Sequence, residues 1–194
     1  MQLAPGTPFF LLLVAAVAVE RTLEMGLSAR NARRAFARGG IEAESHGFYL
    51  LMVVAHVAFL AAGPLEVLFL DRPFVPPVAI VATWIVLLTM VLRYWAIFTL
   101  GERWNTRVIV IPGLPAVASG PYAIVRHPNY VAVVIEVAVL PLVHCAWVTA
   151  LAATAANALL LTARIRHEER ALAAAGDYRE RLAGRARLLP WGES

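Results

Sequence analysis

Lysine is missing from this chain of 194 residues, so arginine carries all of the fixed positive charge and the formal net charge of +4. Together with abundant alanine, this points to a GC-rich coding bias, and no nucleic-acid partner is read from it. Cysteine is nearly as scarce. Cys145 alone excludes an intrachain disulfide framework and a Cys-rich metal site, and it is read as a small buried apolar residue. Charge of either sign is thin, at 15% of residues against about a quarter in soluble domains. No grouping of His, Asp and Glu has metal-ligand spacing. The stretch "GLPAVASG" lacks the glycine order and the following lysine of a phosphate-binding loop. What fills the chain is apolar: 60% of residues are hydrophobic, and the reading is an all-α integral membrane protein. Repeats and low-complexity linkers are not evident, so residues 1–194 are taken as one domain.

Apolar segments long enough to cross a bilayer, about 20 residues each, are divided by charged or turn-forming stretches. The first spans about 3–20 and ends at Glu20-Arg21. Without a basic leader or a small-residue cleavage site, it is read as a retained span rather than a signal peptide. The second covers about 48–70, loosened by Gly63-Pro64, and the third about 76–100, with Arg93 late in it. A polar connection with many Pro and Gly runs from Gly101 to about Pro128. The last apolar block is too long for one crossing. "LPLVHCAW" supplies a turn, dividing the block into a hairpin of spans at about 129–142 and 145–165. Five transmembrane helices result, followed by an amphipathic tail over 166–194.

Arginine placement orients them, because short positive loops stay cytoplasmic. Arg21, Arg30, Arg33, Arg34 and Arg38 follow span one; Arg103, Arg107 and Arg126 follow span three; Arg164 to Arg187 crowd the tail. On the opposite side Arg72 is the exception. The expectation is an N-terminus outside, with the long connection and the tail together on the cytoplasmic face, where they can close over one site. Trp84, Trp95, Trp104, Trp147 and Trp191 include several at span ends, where an aromatic belt is expected.

Two elements bear on chemistry. "GPYAIVRHPNY" leads into the fourth helix, with Pro128 at a first-turn position where a missing N–H does no harm. The tail "RIRHEERALAAAGDYRERLAGRARLLPW" carries Glu168-Glu169 as it leaves the apolar block. Read singly, the arginines meet lipid phosphates and the tail is a solvated surface helix with i,i+4 pairs. In combination and in this order, these segments resemble the isoprenylcysteine carboxyl methyltransferase family of integral membrane enzymes that use S-adenosylmethionine. The resemblance runs from about Arg93 to Trp191. Upstream, "RYWAIFTLGERWNTRVIVIPG" is similar to a bacterial branch associated with type III polyketide synthases, whose members methylate phenolic lipids.

The resemblance implies an S-adenosylmethionine site lined by Gly120, Tyr122, Arg126, His127 and Tyr130 and closed by Glu168 and Glu169. Carboxylates would suit the cofactor's ammonium or ribose hydroxyls, and a guanidinium or ring N–H its carboxylate. Trp104 and Asn105 are expected near a lipophilic acceptor, Asn105 with loop capping as its alternative. The acceptor would be a phenolic or pyrone hydroxyl or an isoprenylated carboxylate, reached from a bacterial inner membrane. No metal is called for.

Ionisable residues within a span cost about 2.5–3.5 kcal/mol each on insertion scales and are functional candidates by default. By resemblance Arg93 falls where an arginine orients the acceptor; the alternative is snorkelling to the interface. Glu136 is read either as a general base for an acceptor phenol, whose pKa lies near 10, or as a structural partner of Arg93 or Arg164. His56 and His144 are read as structural. Two other classes stay open: a nicotinamide-dependent membrane reductase, since likeness of fold does not settle chemistry, and a non-enzymatic adaptor. Oligomeric state is left open.

Overall fold

A computed structural model describes residues 4–188, which leaves the first residues of span one and Trp191 outside the description. Among the described residues six α-helices follow one another: α1 (Thr7–Ala37), α2 (His46–Phe69), α3 (Pro76–Leu100), α4 (Pro128–Val139), α5 (Trp147–Ala175) and the short α6 (Tyr178–Arg181). Three of them, α2, α3 extended to Arg103, and α5, are long and apolar enough to cross a membrane. The architecture is that of a helical integral membrane protein. Phe69, Phe98 and Leu159 are each more than three-quarters exposed on the outer surface, as suits side chains that face lipid rather than water.

The first helix departs most from the sequence reading. Instead of ending at Glu20-Arg21, α1 continues as one helix to Ala37. Its buried face includes Thr7, Phe10, Val14, Val17, Arg21, Glu24, Ser28, Asn31 and Ala35, an unbroken alternation of three- and four-residue steps that keeps one side of a helix inward. Halfway along, that stripe changes from apolar to polar without leaving the bundle. Arg21 is therefore an interior residue and not part of a cytoplasmic loop.

Local signals place the other helix starts. Ser45 accepts the Phe48 amide at the N-terminus of α2, while prolines sit in the first turns of α3 and α4, where no amide is missed. The hairpin between α4 and α5 lies where "LPLVHCAW" places it. A 3-10 turn over Leu140–His144 ends at Cys145 in the left-handed region, φ 51°. His144 is fully buried there, 3.1 Å from the Thr7 hydroxyl and packed against Phe10 and Phe74.

Beyond the hairpin, Glu66 of α2 receives the Val148 and Thr149 amides at 3.1 and 2.6 Å and the Arg72 Nε at 2.8 Å. It thereby supplies from another helix the acceptor that the first turn of α5 lacks. Arg72 also lies over the Trp147 ring at 4.8 Å. The core these helices share is built from Phe10, Val14, Phe59, Val86, Val137, Leu140 and Val143 among others.

The connection from Gly101 to His127 folds back across one end of the bundle. β2 (Ile109–Val110) pairs antiparallel with β1 (Ile41–Glu42), a small sheet not expected from the sequence. Ser28 donates to Asn105 Oδ1 at 2.7 Å and accepts the Thr106 amide at 3.0 Å, and Asn31 donates to the Trp104 carbonyl at 2.8 Å. The polar half of the α1 stripe is thus the seat of this loop.

Removing the cap on α5 tests its weight. Glu66→Ala leaves two amides and a guanidinium without their acceptor, at a cost of about 1–3 kcal/mol. Thermal unfolding in detergent is expected to show a lowered midpoint, with Glu66→Gln intermediate.

Candidate functional site

Two parts of the chain far apart in sequence meet below α4. The Arg126 and His127 amides donate to the Ala186 and Arg187 carbonyls at 2.9 and 3.1 Å, so the segment after α6 runs alongside the start of α4. Glu169 on α5 is the common acceptor. It lies 3.3 Å from His127 Nε2, 3.5 Å from Arg126, 2.9 Å from Arg187 and 3.5 Å from the Tyr178 hydroxyl. One turn of α4 further in, the Tyr130 hydroxyl donates to Glu168, its ring stacked on His127 at 5.3 Å and under the Arg164 guanidinium at 5.6 Å. Burial raises the Tyr122 and Tyr178 phenols above the ordinary range, so both stay protonated donors.

Tyr122, Arg126, His127, Tyr130 and Glu168 line one large cavity, of about 820 Å³, together with Trp104, Asn105 and Arg93. Three of the sequence-derived candidates do not line it. Gly120 has φ 56° and packs against α3 so closely that a Cβ would lie 2.6 Å from the Thr99 hydroxyl, which gives its lack of a side chain a packing reason. Glu169 faces a smaller neighbouring cleft walled by Arg126, Arg166, Arg170, Arg179 and Arg187. Glu136 is wholly buried. Asn105 lines the cavity, but its amide is engaged with Ser28 and with the Arg107 N–H.

The cavity continues into the bundle between α1 and α2, past Arg21, Glu24, His56 and Arg93 to Leu11, Val14 and Leu60. Arg93 does not snorkel. It forms a two-pronged pair with Glu24, Nε and Nη2 donating at 2.7 and 2.8 Å. Glu136 lies 3.9 Å from Arg21, 4.0 Å from Arg93 and 4.0 Å from His56, while Arg164 is turned instead to Glu44 at 3.7 Å and to the Thr106 carbonyl. Arg21, Glu24, Tyr178 and His56 were not picked out by sequence reasoning as site residues. The step pattern of α1 carried a signal for the first two; His56, an ionisable group within span two, was weighed and read as structural, and nothing local marked Tyr178 as a site residue.

Residues 80–174 match the family model described as the isoprenylcysteine carboxyl methyltransferase (ICMT) family. The chain belongs to this family. The match takes in most of α3, the connection, α4 and nearly all of α5, and leaves the α1 and α2 wall of the cavity outside it. Over 165 residues the chain is 38% identical to the Bacillus subtilis (strain 168) protein printed as "Uncharacterized protein YpbQ", covering 84% of this chain and 96% of that one. It is 29% identical over 153 residues to an uncharacterized protein of Haemophilus influenzae, covering 78% and 88%. ICMT membership makes a membrane methyltransferase the activity to test against the geometry.

The Glu169 hub gives the first test. Its charge-assisted bonds are worth about 1.5–3 kcal/mol each, so Glu169→Ala is expected to loosen the segment after α6 and raise its rate of tryptic cleavage about tenfold or more. Unchanged cleavage would mean that the backbone bonds to Ala186 and Arg187 suffice.

Proposed function

We propose that this protein transfers a methyl group from S-adenosylmethionine to an oxygen of a lipophilic acceptor at the membrane surface. The carrying observation is the single cavity that joins a polar end, with Arg126, His127, Tyr130 and Glu168, to an apolar end among Leu11, Val14 and Leu60. A water-soluble donor and a lipid-borne acceptor need such a shared space, and holding both in line can supply several kcal/mol of the barrier.

The residues present fit the donor. It carries an ammonium, a carboxylate, ribose hydroxyls and a flat base. The polar end offers the Glu168 carboxylate, the Arg126 guanidinium with its Nε buried and unpartnered, and the Trp104 indole N–H and Asn129 carbonyl in the same condition. Unpartnered buried polar atoms are costly, and a polar ligand would satisfy them. Glu168 would hold the cation or a hydroxyl, and Arg126 would hold the carboxylate. Tyr122, His127 and Tyr130 would wall the site with aromatic surface, while Glu169 keeps Arg126 and His127 in place. When bound, the donor supplies an electrophilic methyl group: the acceptor oxygen forms the new C–O bond as the S–C pair stays on sulfur.

Acceptors that fit are a phenolic or pyrone hydroxyl, or an isoprenylated carboxylate. In this reading α1 and the α4 segment complete five crossings, and the arginine-rich ends lie on the cytoplasmic side of a bacterial inner membrane, where the donor is available.

Calorimetry on detergent-purified protein tests the donor. S-adenosylmethionine and its demethylated product are expected to bind in the micromolar range, with Arg126→Ala and Glu168→Ala each weakening binding by about tenfold or more, the worth of one charge-assisted bond. Folded protein that binds neither compound, or that takes NADPH instead, would end this reading.

A further inference from the structure

The deep end of the cavity holds more unsatisfied polarity than packing needs. Among the described residues, both Glu136 carboxylate oxygens, Arg21 Nε and Nη1, Arg93 Nη1 and His56 Nε2 are buried without a hydrogen-bond partner. Groups left so in an apolar bundle are expensive, and the arrangement around His56 has a direction. Its Nε2 faces Glu136 Oε1 at 4.0 Å, and Glu136 is fully buried while the His56 side chain is 26% exposed and lines the cavity. Nδ1 is not among the buried unpartnered atoms. The ring therefore stands between a shut-in carboxylate and open space.

The groups around this ring and its carboxylate are Glu20, Arg21 and Glu24 from α1, Arg93 from α3 and Glu136 from α4, with Glu20 and Glu24 2.8 and 3.1 Å from Arg21. A proton arriving on His56 would place its charge beside the enclosed Glu136 carboxyl.

We propose that His56 accepts the hydroxyl proton of the methyl acceptor on Nδ1, while Glu136, 4.0 Å from Nε2, balances the imidazolium from that side. This rests on the methyltransferase reading above. The acceptor O–H bond breaks, the N–H bond forms on His56, the electron pair stays on the oxygen that receives the methyl group, and the proton leaves to water after transfer. Glu136 does not touch the acceptor and is a positioning residue.

The test uses the full chain in detergent with S-adenosylmethionine and two acceptor probes, 5-pentadecylresorcinol for a hydroxyl and S-farnesylcysteine derivatives for a carboxylate. Methylation of the resorcinol is expected. His56→Ala and His56→Asn should both lower kcat by about 10²-fold or more, within the usual worth of a general base, with donor affinity unchanged. Added imidazole should restore His56→Ala in proportion to its free-base form, and Glu136→Gln should lower kcat without touching donor affinity. Full activity in His56→Asn, no rescue by imidazole, or turnover of the farnesylated carboxylate alone would overturn the inference and leave the methyltransferase standing. Wild-type protein that fails to bind the donor would remove the underlying reading instead.

Discussion

The two-pronged pair between Glu24 and Arg93 is the interaction on which the interior depends. It ties α1 to α3 with good hydrogen-bond geometry, and it places an ion pair where a lone charge would be driven to the interface. Buried pairs of this kind gain little over apolar packing but become severe liabilities when one partner is lost. α1 therefore has to present Glu24 inward, and it continues as a helix past that residue to Ala37. The same rotation brings Arg21 against Glu136 and sets Ser28 and Asn31 under the loop that begins at Gly101.

A second constraint lies at the other end of the cavity. Glu169 collects two arginines, a histidine and a tyrosine. Its position about one turn beyond the apolar part of α5 is possible because that helix runs unbroken to Ala175. A continuous rod converts the depth of the hairpin into the height of Glu168 and Glu169. The backbone bonds from Arg126 and His127 to Ala186 and Arg187 then close the polar end. Neither constraint concerns a reacting atom, yet together they decide which groups face the shared space.

The membrane sharpens both. Along the outer sides the helices expose large apolar side chains such as Leu12, Phe69, Ile80, Trp84, Phe98 and Leu159. Inside, Glu24, Arg93, Ser28 and Asn31 meet one another or the loop that begins at Gly101. Glu66 illustrates the economy: one carboxylate satisfies the start of α5 and neutralises Arg72. Where partners are missing, at Arg126, Trp104 and Asn129 on one side and around Glu136 on the other, the cavity runs between them.

Much of this was legible in the chain before folding. Apolar run lengths located α2, α3 and the α4–α5 hairpin, because hydrophobic length and the turn residues of "LPLVHCAW" are local properties. The pairing of "RHPNY" with Glu168-Glu169 was legible by resemblance, and the two segments do meet. The course of α1 past Glu20-Arg21 was not anticipated, since charge read residue by residue looks like the end of a span; only the helical phase, with Arg21, Glu24, Ser28 and Asn31 continuing the line of Phe10, Val14 and Val17, makes those charges interior. The sequence offered Arg93 or Arg164 as partner of Glu136, and Arg93 does lie 4.0 Å from it, but the tighter pairs were beyond the sequence. Glu24 rather than Glu136 holds Arg93, Arg164 turns to Glu44, and His56 shields Glu136 from the cavity. Those choices depend on distances of a few ångströms between helices far apart in the chain, and only their packing sets them.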